Sequence, residues 1–195
     1  MSADDIPQIA DIERESFPSM WPQTAYRREL ANKIARYTVI TEPRADLSQA
    51  AENTGGIWST IRRLVGGEAP ATDEYVLGVI GLWLMVGEAH IVTVAVREAY
   101  RRSGIGERLL IASTELALQF DQEVLTLEVR ASNVAAQRLY EKYGFATVGR
   151  RVRYYTDDHE DAVIMTTPPI ASPGYRALCE ERKARHRSAH PDLWS

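Results

Sequence analysis

Cysteine is nearly missing from this chain. Cys179 is the single one, so no disulfide can close within the molecule. That scarcity fits a reducing, cytoplasmic setting, and Cys179, without a nearby acid–base partner, is not read as a nucleophile. Lysine is almost as rare, confined to Lys33, Lys142 and Lys183, and arginine carries the rest of the positive charge. The net charge is −4, so no overall basic field argues for nucleic acid. Long apolar runs are missing too. The longest, Tyr75 to Val86, is interrupted by Gly78 and Gly81 and is too short to span a bilayer. The acidic, polar start does not look like a secretory signal. His90, His159, His186 and His190 show no zinc-like grouping with cysteine, so no metal is expected. His186 and His190 are four residues apart, but the expectation is a solvated tail.

What is present is an ordinary core-forming chain, 195 residues with 45% apolar content, enough for one domain with an ornament. Its most informative stretch is Arg101-Arg102-Ser103-Gly104-Ile105-Gly106. It follows an apolar strand, Glu88 to Val96, and opens a helix running to about Phe120. A glycine turn feeding a helix N-terminus aims several unpaired N–H groups in one direction. Those donors and the positive end of the helix dipole suit a phosphate or pyrophosphate. The Gly-x-x-x-x-Gly-Lys-Ser/Thr phosphate loop is absent, and the third glycine of the dinucleotide fingerprint is replaced by Leu109.

Around this motif the elements alternate. Ile6, Ile9 and Ile12 fall at helical spacing, followed by breaks at Pro18 and Pro22 and a second short helix with Tyr26 and Leu30 inward. Strands are expected at Arg36 to Glu42, Tyr75 to Met85, Glu88 to Val96, Val124 to Arg130, Phe145 to Tyr155 and Asp161 to Thr167. A helix over Asn133 to Tyr143 is capped by Gly144. Residues 43–74 read as a polar, flexible insertion with two Gly-Gly pairs, which is unusual inside a compact domain. Within it, residues 57–65 place Trp58, Ile61 and Val65 on one helical side, a possible docking helix for a protein partner. Pro168-Pro169 closes a domain of residues 1–168, and 169–195 form a C-terminal extension, charged on most sides, with a helix over Tyr175 to Arg187.

The loop Arg101 to Gly106 follows Val94-Ala95-Val96 in the pattern Arg/Gln-x-x-Gly-x-Gly. Leu127-Glu128-Val129-Arg130-Ala131-Ser132-Asn133 and Leu139-Tyr140-Glu141-Lys142-Tyr143-Gly144-Phe145 come next. Together with Phe17 to Trp21, Arg150-Arg151, Tyr154-Tyr155 and Glu160 to Met165, this resembles the GCN5-related N-acetyltransferases. Within them it resembles the ribosomal protein S18 alanine N-acetyltransferase (RimI-type) family. The likeness spans Glu88 to Met165 strongly and residues 6–42 weakly. It implies an α+β fold, a mixed and mostly antiparallel sheet of six to seven strands with helices on both faces, splayed at an acetyl-CoA site.

The implied reaction is direct acetyl transfer from acetyl-CoA to the α-amine of a protein N-terminus, that of ribosomal protein S18 in first place. The resemblance assigns Arg101, Arg102, Ser103, Gly104, Ile105 and Gly106 to the pyrophosphate. It lays the backbone of Val94, Ala95 and Val96 along the pantetheine arm. Asn133 becomes a CoA contact, with a helix N-cap as its plain alternative. Glu128 becomes the general base. It shares a strand face with Thr126 and Arg130, away from Leu125, Leu127 and Val129, and a salt bridge to an arginine is its alternative role. Tyr140 becomes the general acid toward the CoA thiolate, with core packing as the alternative. Trp21, Tyr154 and Tyr155 are expected to line the acceptor groove. The competing functions are a related enzyme acting on other N-termini, lysines or small amines, and an acetyl-CoA-binding interaction module.

Overall fold

The computed structural model describes residues 1–17, 23–43 and 74–194. Trp21, the 57–65 segment and residues 44–73 of the insertion lie outside them. A 3-10 turn, Ala3–Asp5, leads into α1 (Ile6–Ser16), where the isoleucine triplet is buried as its spacing predicts. Pro7 sits in the first turn, where its missing N–H costs no helical bond. α2 (Gln23–Ala31) buries Tyr26, whose hydroxyl donates to Glu13 of α1. Leu30 is exposed rather than inward, because it lies a turn beyond that contact.

β1 (Ala35–Pro43), β2 (Glu74–Leu84) and β3 (Glu88–Val96) form an antiparallel meander. Pro43 stands opposite Glu74, so the two ends of the 44–73 stretch leave the sheet side by side. A 3-10 turn, Glu98–Tyr100, precedes α3 (Ile105–Gln119), β4 (Val124–Arg130) and α4 (Val134–Lys142). β5 (Ala146–Arg151), β6 (Ala162–Thr166), α5 (Pro173–Ala189) and a last 3-10 turn, Pro191–Trp194, complete the chain. β5 ends four residues before the expected Tyr155. Arg153 has φ of 54° and gives its N–H to the Asp161 carboxylate, which turns the chain back.

Among the described residues the sheet has six strands in the order β1-β2-β3-β4-β6-β5, with β3 and β4 its only parallel neighbours. Two apolar clusters flank it. Ile6, Ile9, Ile12 and Tyr26 pack with Val76, Val79 and Ala95 on one side. On the other, Ile105, Leu109, Tyr140, Tyr143 and Tyr175 pack with Leu77, Ile80, Leu125 and Leu127. Helices thus cover both faces.

The C-terminal extension is not solvated along its length. Ser172 caps α5, Pro173 begins it, and Tyr175 is 4% exposed with its hydroxyl donating to the Tyr143 carbonyl. His186 is 3% exposed, which overturns the expectation of a solvated residue. Tyr175, Cys179, Arg182 and His186 form an inward stripe at helical spacing, the first and last of them buried. No helix among the described residues is long and apolar enough to cross a membrane.

Candidate active site

The site begins where two strands part. β3 pairs with β4 from Glu88 to Ile91 and no further, whereas β4 stays with β6 through Arg130, opposite Ala162. Thr93 to Val96 therefore have β2 on one side and a gap on the other. The Arg97 N–H donates to the Leu77 carbonyl on the β2 side. Backbone groups alternate along a strand, so those of Val96 and Val94 turn toward the gap. Ala95 sends its side chain into the α1 cluster.

The glycine loop caps this gap. Gly104, at φ of 89°, is the N-cap of α3, and Arg102 also holds a positive φ of 68°. The first helical N–H groups, from Ile105 onward, have no intrahelical partner. A Cβ added at Gly106 would sit 3.5 Å from Leu139 Cδ2 and 4.0 Å from Val96 Cγ2, so this glycine looks across the gap toward α4. Arg101 supports the loop rather than reaching into it. Its guanidinium donates to the carbonyls of Val96 (3.3 Å) and Glu15 (2.8 Å), and its N–H to the Glu98 carbonyl. Ser103 likewise bonds the Tyr100 carbonyl at 2.5 Å. Arg102 is exposed. The first turn of α3 is tied to the end of α4, where Glu107 accepts from Lys142 at 2.6 Å and from the Tyr143 hydroxyl at 2.8 Å. Burial alone would raise the Glu107 carboxyl, but those two bonds hold it below the usual range.

Two of the expected site side chains lie on opposite faces of the sheet. Tyr140, on α4, belongs to the α3-side cluster and is 9% exposed. Burial, with a smaller push from Tyr155, raises its phenol to about 12, so it keeps its proton at neutral pH. Glu128, on β4, alternates with the buried Leu127 and Val129 and so faces the other way, with its side chain 9% exposed. It is not a lone carboxylate. One oxygen lies 3.0 Å from His90 Nε2, and the other 3.0 Å from Arg151 Nε. The salt bridge to an arginine, its alternative role, is present and is made by Arg151. Arg130 instead binds Asp157, Asp158 and Glu160, and its guanidinium lies 4.0 Å over the Tyr155 ring.

His90 was not foreseen as a site residue. It stands opposite Thr126 at the last but one pair before the strands part. Its Nδ1 lies 2.8 Å from the Thr126 hydroxyl, which donates to Glu88. A hydroxyl has one proton to give, so His90 Nδ1 must be the donor to Thr126. The contact between Nε2 and Glu128 then also holds a proton, on nitrogen or on oxygen. The sequence signal was present, since His90 alternates with the buried Ala89 and Ile91, but its partners come from another strand.

Tyr154 and Tyr155 meet edge to face, with centroids 5.3 Å apart, beside these groups. Burial and then the Glu128 charge raise the Tyr154 phenol, and Tyr155 is raised to about 12, first by burial. Asn133 does cap α4, its side-chain oxygen accepting from the Ala136 N–H at 3.1 Å.

Comparison with known proteins bears on the family and the fold. The profile of the acetyltransferase (GNAT) family matches residues 6–145. A Bacillus subtilis (strain 168) protein, provisionally named a ribosomal protein bS18-alanine N-acetyltransferase, is 33% identical over 85% of this chain and 90% of its own. An N-alpha-acetyltransferase of Sulfurisphaera tokodaii is also 33% identical, over 84% of this chain and 87% of its own. The crystal structure of the ribosomal-protein-S18-alanine N-acetyltransferase from Escherichia coli shares the fold. Its TM-score is 0.63 at 24% identity, over 89% of this chain and 94% of that one.

Proposed function

The chain belongs to the acetyltransferase (GNAT) family and is an N-acetyltransferase, and from that premise we propose that its acceptor is the α-amine of a protein N-terminus, the N-terminal alanine of ribosomal protein bS18 first among them. One observation carries the reading: the gap between β3 and β4, with Tyr140 on one face and Glu128 with His90 on the other. Such a slot lets a thioester enter from one side and an amine from the other.

The residues present fit acetyl-CoA. The N–H groups at the start of α3 suit its pyrophosphate, and the open backbone of Val94 and Val96 suits the amides of its arm. Acetyl-CoA supplies the activated acetyl group, and the chain supplies the rest. The Val96 N–H polarises the carbonyl under attack. Glu128, with His90 behind it, attracts the incoming ammonium and takes its proton. An α-amine has a pKa near ~8 against ~10.4 for lysine, so this carboxylate, already bound by Arg151 and His90, suits an N-terminus better than a lysine. Tyr140 donates a hydrogen bond to the departing sulfur. Outright transfer from a phenol at about 12 to a thiolate whose acid lies near ~8.5 is uphill, so the hydrogen bond is the larger part of its effect. Asn133 is a candidate CoA contact in addition to its capping role, and Tyr154 and Tyr155 form one wall of the acceptor groove. Trp21 keeps its proposed place there on sequence grounds alone.

The names of the relatives support this acceptor class to different depths. The Bacillus protein's name specifies the bS18 alanine, and the Sulfurisphaera protein's names only an α-amine. The test is transfer of labelled acetyl from acetyl-CoA to a peptide with the bS18 N-terminus, read by mass spectrometry. Two control peptides accompany it, one beginning with a different residue and one with a blocked α-amine and a free lysine. Label on the alanine peptide alone, lost in Glu128→Gln, is the expected result. Label on both free N-termini widens the acceptor to N-termini in general, and label on lysine overturns the reading.

A further inference from the structure

The C-terminal segment ends on the glycine loop. His186 Nε2 lies 2.9 Å from the Gly104 carbonyl, and the Trp194 indole donates to His186 Nδ1 at 3.0 Å. An indole N–H can only donate, so Nδ1 carries a lone pair, the proton sits on Nε2, and the ring is neutral. The neighbouring His190 ring lies 4.9 Å from that of His186 and rests on Gly104, where an added Cβ would come within 2.7 Å of it. Trp194 is held in turn by Arg108 of α3, 4.1 Å from its ring, and by Arg187, 4.8 Å away. The last residues of the chain thus grip one peptide unit of the loop from two sides. The match to the family profile ends at residue 145, well before them.

The gripped peptide matters because of what its other end does. The Gly104 carbonyl and the Ile105 N–H belong to one planar trans unit and point in opposite directions. The Gly104 carbonyl accepts the Arg108 N–H at 3.0 Å, the first bond of α3, and His186 adds a second hold on it. Holding the carbonyl fixes the N–H. We propose that residues 173–194 form a clasp that sets the affinity of the loop for acetyl-CoA, with neutral His186 as the positioning residue. His186 touches neither the acetyl group nor the acceptor. Helix ends fray, and this second bond to the Gly104 carbonyl keeps the Ile105 N–H facing the pyrophosphate before binding, a gain by preorganisation. The clasp rests on the reading that this loop binds acetyl-CoA.

The test measures acetyl-CoA binding by calorimetry, together with kcat and KM for both substrates, in the full chain. Removing one net hydrogen bond of this kind corresponds to about a five- to tenfold loss of affinity. His186→Leu should raise Kd and KM for acetyl-CoA by that factor and leave the peptide KM and the saturated kcat in place. His186→Gln, which can donate to Gly104 and accept from Trp194, should recover most of the loss. Trp194→Phe, which keeps a ring against Arg108 but loses the indole donor, should show a smaller loss and serves if the leucine variant does not fold. Unchanged acetyl-CoA affinity in folded His186→Leu or Trp194→Phe, or equal losses with leucine and glutamine, overturns the clasp and leaves the loop's assignment standing. Wild-type protein that fails to bind acetyl-CoA overturns both.

Discussion

The two walls of the slot are built from different materials. The wall proposed for the cofactor is mostly backbone, made of the outward groups of Val94 and Val96, the glycine turn and the opening of α3. The wall proposed for the acceptor is mostly charged side chain, a line running Glu88, Thr126, His90, Glu128, Arg151 across three strands. A backbone wall leaves its mark locally, because it needs glycine at fixed positions. A side-chain wall is assembled through space, and each member is individually unremarkable in sequence. The difference also implies different failures. Changes to the first wall should appear in acetyl-CoA binding, and changes to the second in turnover.

Tyr140, the proposed donor to the departing sulfur, should give the largest effect. Tyr140→Phe should lower kcat about 10- to 100-fold, the range for a lost hydrogen bond to a charged group, with little change in KM for acetyl-CoA. The ring and its packing on Phe145 survive the change, so thermal stability should hold within a few degrees. A kcat within threefold of wild type would return Tyr140 to the core and break the division between the walls.

His90 comes next. His90→Leu removes the partner of a carboxylate that is only 9% exposed and should lower kcat about tenfold, with acetyl-CoA binding intact. A kcat within twofold of wild type would reduce the His90–Glu128 contact to structural support. Gly104→Ala should produce the opposite pattern on the other wall. Its φ of 89° and the His190 ring both resist a Cβ, so KM for acetyl-CoA should rise several-fold while kcat at saturation stays near wild type.

The sequence was legible where spacing is local. The loop, the Asn133 cap, the inward Ile6-Ile9-Ile12 face and the position of the splay all follow from periodicity, glycine and the family likeness. It was less legible where a partner arrives from far along the chain. Arg151 lies 23 residues beyond Glu128, and nothing nearby marks it as the arginine that binds there rather than Arg130. Arg101 carries the loop motif, yet its guanidinium turns back to α1 and β3, because the carbonyls of Glu15 and Val96 converge there. The extension was misjudged for a related reason. Its charge suggests a solvated helix, but the stripe Tyr175, Cys179, Arg182, His186 is amphipathic once arginine is allowed to lay its stem on a core.

The smallest expected effect joins that extension to pH. His186 is faced by the Gly104 carbonyl, the Trp194 indole, His190, Glu107 and Arg108. Burial lowers its pKa first. The Gly104 bond and Glu107 pull it back toward protonation, and His190 and Arg108 oppose them, for a net value below the ordinary 6.5. The unfolded chain therefore takes up a proton earlier than the folded one as pH falls. The contribution of neutral His186 to stability is complete above about pH 6.5 and declines as pH drops from there toward the lowered folded value. Melting temperatures of the apo protein between pH 7.5 and 5.5 check this, with His186→Gln as reference. The advantage of wild type over the variant should shrink on acidification, and KM for acetyl-CoA should rise in wild type alone over the same window. A constant difference in melting temperature would mean that protonation at residue 186 does not reach the fold. The backbone wall would then be held by the tail without being tuned by it.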